Sequence, residues 1–158
     1  MSKGIHQYEA LVQWTGNRGT GTSGYRDYGR EHTIQIAGKA IIEGSSDPAF
    51  RGDDTKHNPE ELLLAALSTC HMLSYLHICA VNKVVVLKYE DRATATMLET
   101  PEGGGHFSEA ILNPVVLVAD ASMIEKANEL HHQANRLCFI ANSVNFPVKH
   151  VAHAKVEP

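Results

Sequence analysis

The chain has 158 residues, 43% of them hydrophobic and 20% charged, which suits one globular domain and needs neither disorder nor a disulfide framework. Fourteen Lys plus Arg against eighteen Asp plus Glu leave a net charge of −4, with the basic residues scattered, so nucleic acid is a poor candidate partner. Three cysteines, Cys70, Cys79 and Cys138, are too few and too far apart for a secreted scaffold and point to a reducing compartment.

The N-terminus, Met1 to Tyr8, has no apolar run of signal-peptide length, so a cytoplasmic location is expected. From Tyr8 to Trp14 apolar and polar residues mostly alternate, which predicts a strand. Gly16, Gly19, Gly21 and Gly24 then punctuate a turn region, and Tyr25 to Ala37 reads as a second extended segment. Gly38 to His57, with Gly44-Ser45-Ser46-Asp47-Pro48 and Arg51-Gly52-Asp53-Asp54, carries turn chemistry and predicts a long loop.

A helix is predicted from Pro59 to about Val81. Asn58 suits the N-cap, Pro59 the first helical position, and Glu60 and Glu61 the positive end of the helix dipole. Leu62 to Leu67 are apolar on every face, which predicts a central helix enclosed almost all round. The stretch from Leu62 to Val81 has membrane-like length, yet Ser68, Thr69, His71, Ser74 and His77 interrupt it, so a buried helix is expected and no membrane.

Val84 to Met97 and Phe107 to Val118 read as the long arms of a hairpin turned by Pro101 to Gly105, with Asn113-Pro114 marking an edge or a bulge. Asp120, or a Ser122 and Glu125 box, can start a second helix, on which Ile124, Ala127, Leu130, His131, Ala134 and Leu137 or Cys138 recur at helical spacing. Val148 to Val156 can form a last strand. This order, β-β-α-β-β-α-β, predicts a single α+β domain over residues 1–158. One sheet and one helix cannot cover so apolar a first helix, and a second subunit is the expected cover.

Cys70 sits mid-helix in Leu67-Ser68-Thr69-Cys70-His71-Met72, polar groups inside an apolar segment. Cys79, nine residues on, faces the opposite side of the helix and reads as a small core residue. Cys138 lies at the end of the second helix.

Asn58-Pro59-Glu60-Glu61-Leu62-Leu63, Ser68-Thr69-Cys70, and Cys138 followed by Asn142 together resemble the OsmC/Ohr family of thiol-dependent organic hydroperoxide reductases. The resemblance implies an intertwined homodimer with antiparallel sheets wrapped around two central helices, active sites at the subunit interface, no cofactor and no metal. It implies that Cys70 attacks an organic hydroperoxide, that Cys138 resolves the sulfenic acid as a disulfide, and that an external thiol or dithiol reopens it. It also implies an arginine from the glycine-rich turn, best matched by Arg18 with Arg26 and Arg51 as rivals, held by Glu60. Where familiar members often have proline after the second cysteine, this chain has Phe139 and Ile140.

Thiolate is the nucleophile, and Cys70 lies too far from the helix start for the dipole to favour it, so a cation must. Arginine can bind a carboxylate with one edge and sulfur with another. Ten residues of helix place Glu60 and Cys70 about 15 Å apart, which predicts that a shared arginine joins groups from two subunits. Met72, Tyr75, Phe139 and Phe146 are candidate apolar linings, and His71 either tunes the thiolate or makes a core hydrogen bond. Rival readings are a hydrophobic-ligand binder, a Cys-His acyl-transfer enzyme, and a metal-dependent hydrolase drawing on Cys70, His71, His131, His132 and Cys138. No His-Glu-x-x-His or Cys-x-x-Cys supports the last.

Overall fold

The computed structural model describes residues 4–157. By contact density the chain divides into two compact units, up to Leu62 and from Leu63 onward.

In the N-terminal unit, β1 (Leu11–Trp14), β2 (His32–Gln35) and β3 (Ile42–Gly44) form an antiparallel meander in that order. Val12 faces Ile34, and Ile34 faces Ile42, so the strand register follows the β-branched residues. The glycine-rich stretch between β1 and β2 folds back on itself. Trp14 Nε1 donates to Gly29 O at 2.9 Å and Gly29 N to Gly16 O at 2.8 Å. A Cβ on Gly16 would fall 2.1 Å from Gly29 O, so only glycine fits there. The expected loop over 38–57 is shorter than its turn residues suggest, because Ile42 and Glu43 extend the meander as β3 and residues Pro48–Phe50 form one turn of 3₁₀ helix capped by Asp47.

α1 runs from Pro59 to Val81, as the capping signals predict. Glu61 N donates to Asn58 Oδ1 at 2.8 Å and Asn58 N to Glu61 Oε2 at 3.3 Å, a reciprocal capping box. Enclosure all round is not observed within one chain: Leu67, His71, Tyr75, Ile78 and Cys79 are the buried residues, a single stripe at helical spacing, while Leu73 is 59% exposed.

In the C-terminal unit, β4 (Val86–Asp91), β5 (Thr94–Glu99), β6 (Gly105–Leu112), β7 (Pro114–Val118), α2 (Ile124–Leu137), β8 (Val148–His150) and β9 (His153–Lys155) follow α1. Each extended segment read from the sequence divides into two strands, giving the sheets β4-β7-β9 and β5-β6-β8. The crossing points are residues 92–93, Asn113 and residues 151–152. Asn113-Pro114 is therefore a sheet-switching corner. Asp91 Oδ1 accepts from Asn113 N at 2.7 Å, and Asn113 Nδ2 donates to Arg92 O at 2.9 Å, so the corner's polar groups are paired.

The sheets are mixed where antiparallel pairing was expected. β8 runs parallel to β6 and β9 parallel to β7, because α2 carries the chain back before the last segment joins, and a helical crossover yields parallel strands. The start of α2 also differs from expectation. Asp120 caps a 3₁₀ turn over Ala121–Met123, and Ser122 Oγ donates to Asp120 Oδ1, so no Ser122 and Glu125 box forms. The core of this unit joins Tyr75, Ile78 and Cys79 of α1 to Ala127, Leu130 and Ala134 of α2 and to Val116, Val118 and Ala154 of the β4-β7-β9 sheet.

Candidate functional site

α1 and α2 lie against each other in antiparallel register within the C-terminal unit. The Tyr75 hydroxyl donates to Ala127 O at 3.0 Å. Four residues toward the start of α1, His71 Nε2 lies 3.0 Å from His131 Nδ1, four residues further along α2. Next in order come Cys70 and Cys138, whose side chains are close enough to interact.

Cys138 is the first residue past α2, with extended backbone at φ −71° and ψ 109°. It is buried, whereas Cys70 is half-buried. Burial chiefly, and then the Cys70 thiol beside it, push the Cys138 thiol up to about 11. Ala141 N donates to Cys138 Sγ at 3.4 Å, and Asn142 N donates to Cys138 O at 3.0 Å. The chain thus wraps round this sulfur after the helix ends. Phe139, 80% exposed, and Leu137 flank it with apolar surface open to solvent. Phe146 instead packs at a tilt against Phe107, with ring centroids 5.3 Å apart. Tyr75, a candidate lining residue, is wholly buried and spends its hydroxyl on α2; it belongs to the core.

His71 and His131 are both fully buried. Their rings are nearly parallel, and His131 stacks on Tyr75 at 3.8 Å between centroids. His150 of β8 lies 5.6 Å from the His71 ring, and the exposed His132 packs on His150 at 4.9 Å. Burial first, then His150, lowers His71 to about 4; burial, then His71, His150 and His132, lowers His131 to about 3. Both are neutral imidazoles that share one N–H···N bond. His71 is thus a core hydrogen-bonding residue, the plainer of its two sequence readings. Its partner was legible as a histidine on the apolar face of the second helix, and in the rival metal reading as one that converges with His71 if the helices pack. Among the described residues, no group of three or more His, Cys, Asp or Glu side chains stands as a metal-ligating set.

One further polar contact fixes α1 beside the thiols. Ser68 Oγ donates to Asp91 Oδ2 at 2.5 Å, so one carboxylate ties α1 to the Asn113 corner. Sequence reading missed this pair, since 23 residues separate them and nothing in the sequence ties Asp91 to the Ser68-Thr69-Cys70 motif. Cys79 is buried two and a half turns beyond Cys70, its thiol pushed up by burial.

The remaining predicted residues lie in the N-terminal unit. Arg18 is exposed in the loop after β1, where Asn17 Oδ1 accepts from Gly19 N and Gly21 N at 2.9 and 3.0 Å. Arg26 and Arg51 are exposed too. Glu60 is half-buried in the first turn of α1, and its Oε2 is buried with no hydrogen-bond partner. Among the described residues Arg18 and Glu60 form no ion pair. Arg30, which sequence reading passed over, is the ordered guanidinium of this loop. It donates to Tyr28 O at 2.6 Å and Tyr25 O at 2.9 Å and lies over both tyrosine rings.

The OsmC-like protein family model matches residues 52–152, which span α1, both thiols of the pair and α2. The chain belongs to the OsmC-like family. Solved OsmC-like structures have the same fold. An OsmC-like protein of unknown function from Vibrio cholerae is 29% identical, with a TM-score of 0.83 over 94% of this chain and 99% of that one. An organic hydroperoxide resistance protein from Elizabethkingia anophelis is 20% identical, with a TM-score of 0.72 over 97% and 99%. An organic hydroperoxide resistance protein OsmC from Legionella pneumophila is 17% identical, with a TM-score of 0.71 over 98% and 100%. Among curated proteins no match was found.

Proposed function

We propose that this OsmC-like protein is a thiol peroxidase that reduces organic hydroperoxides to alcohols. The observation that carries the reading is the meeting of Cys70 and Cys138, 68 residues apart in sequence, at one end of the α1–α2 seam. Two solved relatives bear the name organic hydroperoxide resistance protein, which accords with it.

Cys70, the more accessible of the two, attacks the terminal peroxide oxygen; the O–O bond breaks and the alkoxide leaves as alcohol after taking a proton. Cys70 is then a sulfenic acid. Cys138 attacks that sulfur, the S–O bond breaks, and hydroxide leaves with the proton of Cys138 as water. The balance is one hydroperoxide and two thiols to one alcohol, one water and one disulfide. An external thiol or dithiol returns the pair to its reduced form. The high proton affinity of Cys138 suits the order, because the buried thiol stays protonated until Cys70 has been oxidised.

Arg18 is proposed to hold Cys70 as thiolate, with Glu60 orienting the guanidinium. The orphaned Oε2 of Glu60 is a buried acceptor in want of such a donor. The helical distance between Glu60 and Cys70 calls for a homodimer with composite sites, and the uncovered side of α1, with Leu73 exposed on it, is the surface such a partner would cover. Residues 1–158 are proposed to act as one OsmC-like domain. A cytoplasmic location fits a site that must be re-reduced by thiols. No nucleic acid or membrane partner enters the scheme.

The test is hydroperoxide consumption with a dithiol reductant. Cys70→Ser abolishes turnover, and Cys138→Ser stops it after one oxidation. Turnover unaffected by Cys70→Ser contradicts the proposal. A 240 Å³ cleft on the β4-β7-β9 sheet, lined by Lys88, Glu90, Val115, Leu117, Lys155 and Val156 among others, holds neither thiol and plays no part in it.

A further inference from the structure

We propose that the buried hydrogen bond between His71 and His131 sets the register of α2 on α1, and that the two histidines are thereby positioning residues for disulfide closure between Cys70 and Cys138. The inference rests on the peroxidase reading for its biological purpose, but its geometry stands apart from it.

Closure is demanding. A disulfide needs the two Cα atoms roughly 4.4–6.8 Å apart and the two Cβ atoms about 3.5–4.5 Å apart. A slip of one residue along a helix is about 1.5 Å, enough to leave that window. What resists a slip here is not the apolar packing. α2 meets the core through Ala127, Leu130 and Ala134, and contacts between small aliphatic groups are non-directional. Among the described residues, His71 to His131 is the one hydrogen bond between side chains of α1 and α2. At 3.0 Å between ring nitrogens it tolerates little displacement before it is lost.

The pair is also held sideways. His131 stacks on Tyr75 at 3.8 Å, and Tyr75 itself donates to the α2 backbone at Ala127. Cys70 is the residue before His71, and Cys138, the first residue past α2, comes seven residues after His131. The pin therefore joins the same two helices that carry the thiols, one residue from Cys70 on α1 and about two turns before Cys138 on α2.

The arrangement is costly in a way that argues for a geometric role. His71 Nδ1 and His131 Nε2, the outer nitrogens of the pair, are both buried without a partner. Two apolar residues of similar volume would avoid that desolvation cost. A polar pair that stability alone does not favour is one whose direction matters.

The measurement is the rate of disulfide closure, separated from the rate of Cys70 oxidation. Reduced protein is given one equivalent of tert-butyl hydroperoxide; the sulfenic acid is trapped with a 1,3-diketone at intervals, and remaining thiols are counted. In His71→Leu and in the double variant with His131→Leu, Cys70 oxidises at a rate within about twofold of wild type. Closure slows about tenfold, and trapped sulfenic acid accumulates. Because His71 bonds through Nε2, His71→Gln, whose amide reaches the same position, restores closure and the shorter His71→Asn does not. Urea midpoints for each variant show the core folded, and the double leucine variant, which leaves no unpaired ring nitrogen, is no less stable than wild type. Closure at the wild-type rate in a folded leucine variant overturns the inference, as does equal rescue by Gln and Asn. Diamide, which oxidises two thiols to a disulfide and is itself reduced to the hydrazine, closes the same pair without any peroxide step. If wild type ignores the peroxide, the peroxidase reading fails while diamide still reports the pin.

Discussion

Two imidazoles buried side by side give the stability of this protein a defined pH dependence. Burial and then His150 lower His71 to about 4, and burial followed by His71, His150 and His132 lowers His131 to about 3, against about 6.5 in an unfolded chain. Between those values the unfolded chain binds more protons than the folded one. Their contribution is therefore fully present above about pH 6.5 and is lost as the pH falls toward the folded values, at up to ~1.4 kcal/mol per pH unit for each histidine. Urea unfolding at pH 7.5 and pH 5 shows this loss in wild type and a much smaller one in the double leucine variant. An unchanged pH dependence in that variant contradicts the assignment. The three cysteines separate by burial in the same way. Alkylation of the folded, reduced protein, mapped by mass spectrometry, modifies Cys70 first and leaves Cys79 untouched until denaturant is added. Early modification of Cys79 would show that its cover opens readily. Sequence periodicity separates Cys79 from Cys70 because a helix fixes direction. It brings His71 and His131, 60 residues apart, together only on the condition that the helices pack, and it does not show that they meet as a hydrogen-bonded pair.

Where an element begins or turns is decided by a few polar side chains. Asn58→Ala removes the acceptor for Glu61 N and is expected to cost about 1 kcal/mol in urea unfolding; no change would mean that the cap is idle. Asp91→Ala removes acceptors from both Ser68 of α1 and Asn113 N at the sheet corner. It is expected to cost about 2 kcal/mol, with Ser68→Ala costing less because the corner bond survives. Equal losses would contradict the view that one carboxylate serves two elements. α1 was legible to its last residue because Asn58, Pro59 and the two glutamates are local signals, and because the apolar run leaves no other reading. The strands were legible as extended segments but not as the elements they become. Val84 to Met97, Phe107 to Val118 and Val148 to Val156 each look like one strand, since alternation does not record which sheet a residue joins. Only Asn113-Pro114 marked a crossing, and it read as an edge or a bulge. β3 was hidden among Gly, Ser and Asp of a turn-rich stretch, too short at three residues to show a period.

At the scale of the whole molecule, α1 is a helix with a covered stripe and an uncovered side that exposes Leu73 and Val81 among small and polar residues. We expect sedimentation velocity to give a two-chain species, and Leu73→Glu, a charge on the uncovered side of α1, to shift it toward one chain with loss of peroxidase activity. A fully active single chain would remove the composite site, and with it the proposed role of Arg18 and Glu60. The resemblance carried by Asn58 to Leu63 and by Cys70 and Cys138 was enough to place the chain in its family before any coordinates, because cysteines 68 residues apart are informative only as a pattern. The pairing of those thiols, in contrast, depends on α2 folding back along α1. The most direct measurement is a thiol count on reduced protein after one equivalent of an organic hydroperoxide. The account predicts that two of the three thiols vanish per chain and that peptide mapping finds Cys70 bonded to Cys138 with Cys79 still reduced. Three thiols remaining, or a disulfide that includes Cys79, would contradict it.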